Sequence, residues 1–186
     1  SWDAKAAMYV SADPRAGKWK KLDLYFPNWD PCFFVDDDRR LYFYWGCSPT
    51  DPIRVQELDV EHAFNPIGPR VDLVRSNTKD HGWENVGENN QILDGPKLPE
   101  INGPWIEGPW MTKHKGRYYL QYAAPGTEFA SYADGAVVSA NPLGPFDYAP
   151  YNPVCAKPRG FTAGAGHGST FTDGFGNFWR IATSRI

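Results

Sequence analysis

The chain has 186 residues and a net charge of -3, and 16% of its residues are aromatic, with 18 glycines and 17 prolines. This length supports one domain with a sizeable core. The charge disfavours nucleic acid as a partner, and no apolar run approaches the roughly 18 residues of a membrane span. Aromatic residues fit pleated strands and glycine and proline fit sharp turns, so we expect an all-β fold of many short strands.

The first predicted element is a hairpin at the outer edge of a sheet, within residues 7–19. An apolar strand runs into a turn at Asp13-Pro14, and Gly17 stands just before an aromatic strand. The same order of residue types returns at residues 138–146 and, more loosely, at residues 63–69. Repetition at this scale indicates a repeat architecture.

A second repeated segment begins with a polar residue and continues with an apolar strand, a polar turn and an aromatic strand. Its three copies start at Asp30, Glu107 and His167, and in each the polar residue stands four positions before an apolar one. Equivalent positions in successive blades of a closed ring face a common centre. We therefore expect these three side chains to converge.

The architecture that these repeats predict is a β-propeller, whose blades are four-stranded antiparallel sheets around a central channel. A β-sandwich is the rival architecture, and the long matched repeats argue against it. Because a blade needs roughly 40–50 residues, we expect about three blades here, with the rest of the ring before Ser1, after Ile186 or on another chain. The predicted division is a blade end at 1–20, a blade at 29–75, an inserted loop at 76–104, a blade at 105–149 and a blade start at 165–186.

Glu107 stands between Trp105 and Trp110, at a Gly-Pro corner. Apolar walls raise the pKa of a carboxyl group by desolvating its charged form, which suits a general acid. The alternative is a turn or capping glutamate beside core tryptophans. The recurrence of the same layout at Asp30 and His167 favours the catalytic interpretation.

Four motifs, in this order along the chain, resemble glycoside hydrolase family 43. They are Asp30-Pro31 with its acidic turn and aromatic strand, Glu107-Gly108-Pro109, residues 131–135 and residues 166–169. The resemblance covers roughly residues 7–186. It implies a five-bladed propeller that acts on arabinose- and xylose-containing plant polysaccharides with three carboxylates: a base, an aspartate that tunes pKa values, and an acid glutamate.

By this resemblance Asp30 matches the tuning aspartate, Glu107 the general acid, and His167 the channel histidine that sits beside calcium or water in many members. A calcium ion near His167 is therefore the expected cofactor. The base aspartate has no counterpart in the chain, and we expect its motif before Ser1. The implied reaction is inverting hydrolysis of an oligo- or polysaccharide, and the alternative is a carbohydrate-binding propeller without catalysis. Polysaccharide degradation implies a secreted or periplasmic protein.

Aromatic side chains near these positions are candidates for stacking on sugar rings. The alternative for them is packing between blades. The candidates are Trp105, Trp110, Trp83, Phe129 and Tyr132.

Several other polar residues have more ordinary interpretations. Asp36, Asp37 and Asp38 suggest a metal cluster, but solvated carboxylates in a hairpin turn are the preferred interpretation. Glu84, on the inserted loop, is a candidate for contact with sugar hydroxyls, but an exposed carboxylate is the preferred interpretation. Cys32 and Cys47 flank one predicted hairpin, so they are either joined in a disulfide or free thiols.

Overall fold

A computed structural model of the chain describes residues 5–27, 29–87, 104–157 and 159–185. Within these ranges the regular structure consists of strands β1 to β13 and two single-turn 3-10 helices. The predicted all-β class is therefore confirmed. No helix in these ranges has the length and apolar character needed to cross a membrane.

The chain begins with an antiparallel hairpin of β1 (Lys5–Val10) and β2 (Lys20–Pro27). Between them, a 3-10 turn is capped by the Asp13 side chain at its start and by Gly17, with φ of 66°, at its end. Such a left-handed conformation favours glycine. The hairpin extends beyond the predicted blade end at 1–20, because its second strand begins only at Lys20.

The first complete sheet contains four antiparallel strands in chain order. They are β3 (Cys32–Val35), β4 (Leu41–Trp45), β5 (Ile53–Asp59) and β6 (Asn65–Val74). Every residue of β4 is buried, because one face packs against the next sheet while the other packs against Met8 and Phe64.

The second sheet follows the same order of strands. It contains β7 (Glu107–His114), β8 (Arg117–Ala124), β9 (Ala133–Ser139) and β10 (Asp147–Tyr148), and β11 (Cys155–Ala156) pairs with the start of β9. A hairpin of β12 (Ala163–Thr172) and β13 (Phe178–Arg185) lies against this sheet. The described part of the inserted loop, residues 76–87, contains the second 3-10 turn, and residues 88–103 lie outside the described ranges.

The main core lies between the two sheets. Aromatic residues of β4, including Tyr42 and Tyr44, pack there with Leu120 and Tyr122 of β8. The buried hydroxyl group of Tyr44 donates a hydrogen bond of 2.8 Å to the carbonyl of Pro142. This packing places the first strands of successive sheets side by side, with β7 in contact with both β3 and β12.

Candidate active site

Three side chains converge where the first strands begin. Asp30 precedes β3, Glu107 opens β7, and His167 lies within β12, and each offers an atom within 4.8 Å of the others. The Nδ1 atom of His167 lies 3.9 Å from Oδ2 of Asp30 and 3.8 Å from Oε1 of Glu107. The structure thus brings together the residues that occupy equivalent repeat positions, while their catalytic roles stay predictions.

The backbone around this cluster adopts conformations that most residues avoid. The φ angles of Asp30, Gly108 and His167 are 59°, 59° and 49°, values in the left-handed region that is costly for residues with a side chain. A Cβ atom at position 108 would lie 2.8 Å from the His167 ring. Glycine is therefore required at position 108 for the imidazole to reach the two carboxylates.

One hydrogen bond from the main chain to a side chain and one backbone bridge hold the inner ends of the two sheets together. The N–H of Gly108 donates to Oδ2 of Asp30 over 3.1 Å. An isolated antiparallel bridge joins Ser48 to Ile106, with N···O distances of 3.1 and 3.3 Å. The relative position of Asp30 and Glu107 is consequently fixed by the main chain on both sides of the contact.

Both carboxylate oxygens of Glu107 accept hydrogen bonds from protein groups. The hydroxyl group of Tyr132 donates to Oε1. The indole N–H of Trp105 donates to Oε2 over 3.0 Å, and the thiol of Cys47 donates to the same oxygen over 3.3 Å. Two of the predicted sugar-stacking residues, Trp105 and Tyr132, therefore touch the candidate acid, and stacking on a sugar stays a prediction for both.

For the other predicted sugar-stacking residues, the structure gives no contact with the Glu107 carboxylate among the described residues. Trp110 donates its indole N–H to the carbonyl of Thr170 over 2.8 Å. Trp83 donates its indole N–H to the hydroxyl of Tyr148 over 2.7 Å, and both indole rings pack against the main core. These contacts match the blade-packing alternative. Phe129 is half-buried, and a substrate contact stays a prediction for all three.

The pKa values of the two carboxyls shift in opposite directions. Burial raises the pKa of Asp30, and the negative charge of Glu107 raises it further, although His167 opposes both effects. Burial alone would raise the pKa of Glu107, but His167 and the donors Tyr132, Cys47 and Trp105 together hold it below its usual range. The two carboxylates in turn raise the pKa of His167.

The lowered pKa of Glu107 differs from the sequence-based expectation that apolar walls would raise it. Sequence reasoning treated the neighbouring tryptophans as apolar surfaces, yet Trp105 presents its N–H to the carboxylate. Hydrogen bonds to the charged form of a carboxyl outweigh its desolvation when they are numerous enough.

The possible metal ligands that the described residues offer around His167 do not form a calcium site by themselves. Calcium takes six to eight oxygen ligands, and the cluster offers two carboxylates and one imidazole. Both oxygens of Glu107 already accept protein hydrogen bonds. The calcium ion expected near His167 stays a prediction.

The acidic turn between β3 and β4 is only partly solvated. Asp36 is buried and accepts hydrogen bonds of 2.5 Å from both Lys113 and Tyr118. The neighbouring Asp37 is exposed and contacts Lys113 over 2.8 Å. The preferred interpretation of three solvated carboxylates is wrong for Asp36, because the turn packs against β7 and β8.

The expectation that Glu84 is exposed is wrong. Its carboxylate is fully buried, with hydrogen bonds of 2.6 Å from Tyr122 and from the N–H of Asn77 and a 3.1 Å contact to His81. The 3-10 turn that carries Glu84 folds back onto β8. The loop sequence has no periodic pattern that would predict this contact.

All three cysteines are free thiols, so the disulfide alternative for Cys32 and Cys47 is wrong. Burial raises the pKa of Cys32 to about 11. Cys47 reaches Glu107 instead, and sequence reasoning missed this contact because Cys47 follows a strand of one sheet while Glu107 opens a strand of the other. The only sequence signal was the position of Cys47 two residues after the aromatic strand of the Asp30 repeat.

Fold and site together define an all-β repeat protein with a carboxylate pair at the inner strand ends. Residues 2–184 match the family described as Glycosyl hydrolases family 43, and the chain belongs to that family. The resemblance inferred from the four motifs is thereby confirmed. Solved structures of family members share the fold, while the number of blades stays an inference from part of a ring.

The similar proteins are longer than the part of them that the chain matches. The chain is 30% identical to a β-xylosidase of Xylanibacter ruminicola, over 64% of the chain and 39% of that protein. It is also 30% identical to a xylosidase/arabinosidase of Butyrivibrio fibrisolvens, over 78% of the chain and 26% of that protein. A thermostable family-43 glycoside hydrolase of known structure is 25% identical with a TM-score of 0.71, covering 96% of this chain and 56% of that one.

Proposed function

We propose that this protein is a glycoside hydrolase that cleaves xylose- or arabinose-containing plant oligosaccharides or polysaccharides. The observation that carries this proposal is the convergence of Asp30, Glu107 and His167 within 4.8 Å at the inner ends of the first strands. The family supports the reaction class, and two relatives named as a β-xylosidase and a xylosidase/arabinosidase support the substrate class. Such a substrate also favours a secreted or periplasmic location.

Glu107 is the general acid in this proposal. Its side chain is 13% exposed, and the neighbouring His167 is 42% exposed, so the cluster opens to solvent on the histidine side. A sugar that enters there meets a carboxyl whose two oxygens are held by Tyr132, Trp105 and Cys47. Positioned proton transfer of this kind contributes typically 10²–10⁴-fold to a rate.

Asp30 tunes Glu107 and does not activate water in this proposal. Inverting glycosidases keep their acid and base carboxyls roughly 6.5–9.5 Å apart, to leave room for a water molecule. Asp30 and Glu107 offer oxygens within 4.8 Å of each other, which is too close for that pair. The water-activating base in this proposal is a further aspartate, the third carboxylate that the family resemblance implies.

The proton of the acid has to reside on Glu107 when the glycosidic oxygen arrives. In the resting site the pKa of Asp30 is raised and that of Glu107 is lowered, and two carboxyls at this distance titrate as a pair. A bound sugar excludes water and so raises the pKa of Glu107 by further desolvation. The negative charge of Asp30 then favours the protonated form of Glu107.

The deciding variant is Glu107→Gln, compared with Glu128→Gln at an exposed position. We expect kcat on xylo-oligosaccharides to fall by about 10²–10⁴-fold in Glu107→Gln. Aryl xylosides or arabinofuranosides with activated leaving groups need little protonation and are spared, and Glu128→Gln resembles the wild type.

Unchanged hydrolysis of xylo-oligosaccharides by Glu107→Gln would remove Glu107 from the acid role. Sugar binding by the wild type with no hydrolysis of any glycoside would instead favour the carbohydrate-binding propeller.

The stereochemistry of the product tests the role of Asp30 separately. Inversion predicts that the α-anomer of xylose is released first from a β-xyloside, as followed by proton NMR before mutarotation. Release of the β-anomer would indicate that Asp30 acts as a nucleophile, since retaining enzymes place their carboxyls about 5–5.5 Å apart.

A further inference from the structure

Cys47 and Glu107 are placed side by side by the main chain. The bridge between Ser48 and Ile106 is an isolated pair of backbone hydrogen bonds between the two sheets. Cys47 precedes Ser48 and Glu107 follows Ile106 in the sequence. The bridge therefore brings the thiol to 3.3 Å from Oε2 of Glu107.

Three of the described residues donate hydrogen bonds to Glu107, and they come from two different parts of the fold. Trp105 and Tyr132 belong to the segment that contains β7 to β9, as does Glu107 itself. Cys47 follows β4 in the sheet that begins next to Asp30. It is thus the donor through which the Asp30 sheet reaches the Glu107 carboxylate directly.

The thiol of Cys47 keeps its proton in this environment. Burial raises its pKa, and the negative charges of Asp30 and Glu107 raise it further. A thiol is only a weak donor, but a carboxylate acceptor makes a hydrogen bond stronger. Cys47 consequently faces Glu107 as a neutral donor, and it adds no third negative charge to the cluster.

We propose that Cys47 is a positioning residue that fixes the orientation of the Glu107 carboxyl for proton transfer. This inference rests on the proposed function, because it assigns a task to Cys47 within that reaction. The last torsion of a glutamate side chain is broad, so the carboxyl needs external contacts to hold it. Among the described residues, Trp105 is the donor that still holds Oε2 once the thiol is removed.

The test compares three variants of the full-length protein. Cys47→Ala removes the donor, Cys47→Ser replaces the thiol with a hydroxyl donor, and Cys155→Ser is the matched control on β11. For each, kcat and KM are measured on xylobiose and on an aryl xyloside with an activated leaving group. Thermal unfolding is recorded for every variant.

We expect Cys47→Ala to lower kcat on xylobiose about tenfold, with KM unchanged and with less than a twofold effect on the activated aryl xyloside. Misplacement of a reacting group by about 1 Å costs on the order of 10²-fold, and here two of three donors remain. Cys47→Ser should recover most of the lost kcat, since a hydroxyl also donates to a carboxylate. Cys155→Ser should match the wild type.

Three results would overturn the positioning role. They are an unchanged kcat in Cys47→Ala, an equal loss on both substrates with a lower unfolding temperature, and no recovery in Cys47→Ser. Glu107→Gln, measured in parallel, separates the two proposals. If it loses xylobiose hydrolysis while Cys47→Ala does not, only the positioning role fails. If it keeps full hydrolysis, Glu107 is not the acid and this inference fails with that role, whereas a wild type that hydrolyses no glycoside overturns the proposed function itself.

Discussion

Two carboxylate clusters join the same pair of sheets, one at each end of β3. Before β3, Asp30 meets Glu107 at the start of β7. After β3, Asp36 meets Lys113 near the end of β7 and Tyr118 on β8. The sequence provides an acidic residue near each end of the strand. The negative charges of the two clusters are balanced in different ways.

The cluster at Asp36 has a permanent counter-charge. Its hydrogen bonds from Lys113 and Tyr118 overcome the effect of burial and hold the pKa of Asp36 below its usual range. The same contacts with Asp36 and Asp37 raise the pKa of Lys113. This cluster is an ion pair that both sheets complete, and its role is structural.

Within the part of the chain that the structure describes, the cluster at Asp30 and Glu107 has no permanent counter-charge. The cationic partner that it contains, His167, is charged only when protonated, and the ring is 42% exposed. Paired carboxyls with displaced pKa values are typical of catalytic sites. The comparison shows that buried acidic residues become informative about function only when their partners are known.

The largest expected effect that separates the clusters is on turnover. Asp30→Asn should lower kcat on xylo-oligosaccharides by at least about 10²-fold, because it removes the charge that keeps the proton on Glu107. Asp36→Asn is the matched control and should leave kcat within twofold. Comparable losses of kcat in the two variants would show that both clusters affect turnover indirectly, by maintaining the fold.

The second effect is on stability, and here the larger loss is expected at Asp36 and not at Asp30. Asp36→Asn should lower the free energy of unfolding by about 1–3 kcal/mol, since buried partners lose a charged acceptor. Urea denaturation measures the change, and Asp37→Asn at the exposed neighbouring position should stay within about 0.5 kcal/mol of the wild type. If Asp36→Asn left the free energy of unfolding unchanged, the structural role assigned to this cluster would be wrong.

The third effect is the pH dependence of these stability changes, and its sign differs between the clusters. The lowered pKa of Asp36 means that its contribution is present above about pH 4, the ordinary value, and is lost as the pH falls through the lower folded value. The raised pKa of Asp30 means that its charged form costs stability at neutral pH, and that this cost disappears as the pH falls through the raised value.

Urea denaturation of Asp30→Asn and Asp36→Asn across this pH range tests both signs at once. Asp30→Asn should stabilise the protein at pH 7 and Asp36→Asn should destabilise it, and both differences should shrink in acid. Changes of the same sign at pH 7 would contradict the opposite environments of the two aspartates.

The sequence was sufficient to predict that the three side chains of the candidate site converge, but not what surrounds them. Asp30, Glu107 and His167 could be found because repeat register is a property of the chain itself, and successive blades place equivalent residues at one centre. The Cys47 contact depends instead on how one sheet packs against another, which buried contacts such as that of Tyr44 with Pro142 determine. Sequence spacing carries no record of such packing.

The environment of Glu84 was missed for a related reason. Its loop has no period, and the carboxylate is buried because the 3-10 turn folds back to the Tyr122 hydroxyl on β8. The direction of the Glu107 pKa was missed because sequence spacing does not show the groups that lower it, which are His167 first and then the donors Tyr132, Cys47 and Trp105. For Glu84, and for Tyr132 and Cys47 beside Glu107, the missing information was the orientation of a side chain across a tertiary contact.

The smallest expected effect concerns two tryptophans, one that contacts the candidate site and one that contacts only the packing between strands. Trp105 donates its N–H to Glu107, whereas Trp110 donates to the backbone carbonyl of Thr170 on β12. Trp110→Phe should therefore lower the free energy of unfolding by about 0.5–1.5 kcal/mol with kcat/KM unchanged. Trp105→Phe should lower kcat severalfold on xylobiose with a smaller effect on the activated aryl xyloside. Should Trp110→Phe instead raise KM with no loss of stability, its ring contacts the sugar, and a hydrogen bond outside the cluster would no longer identify a residue as structural.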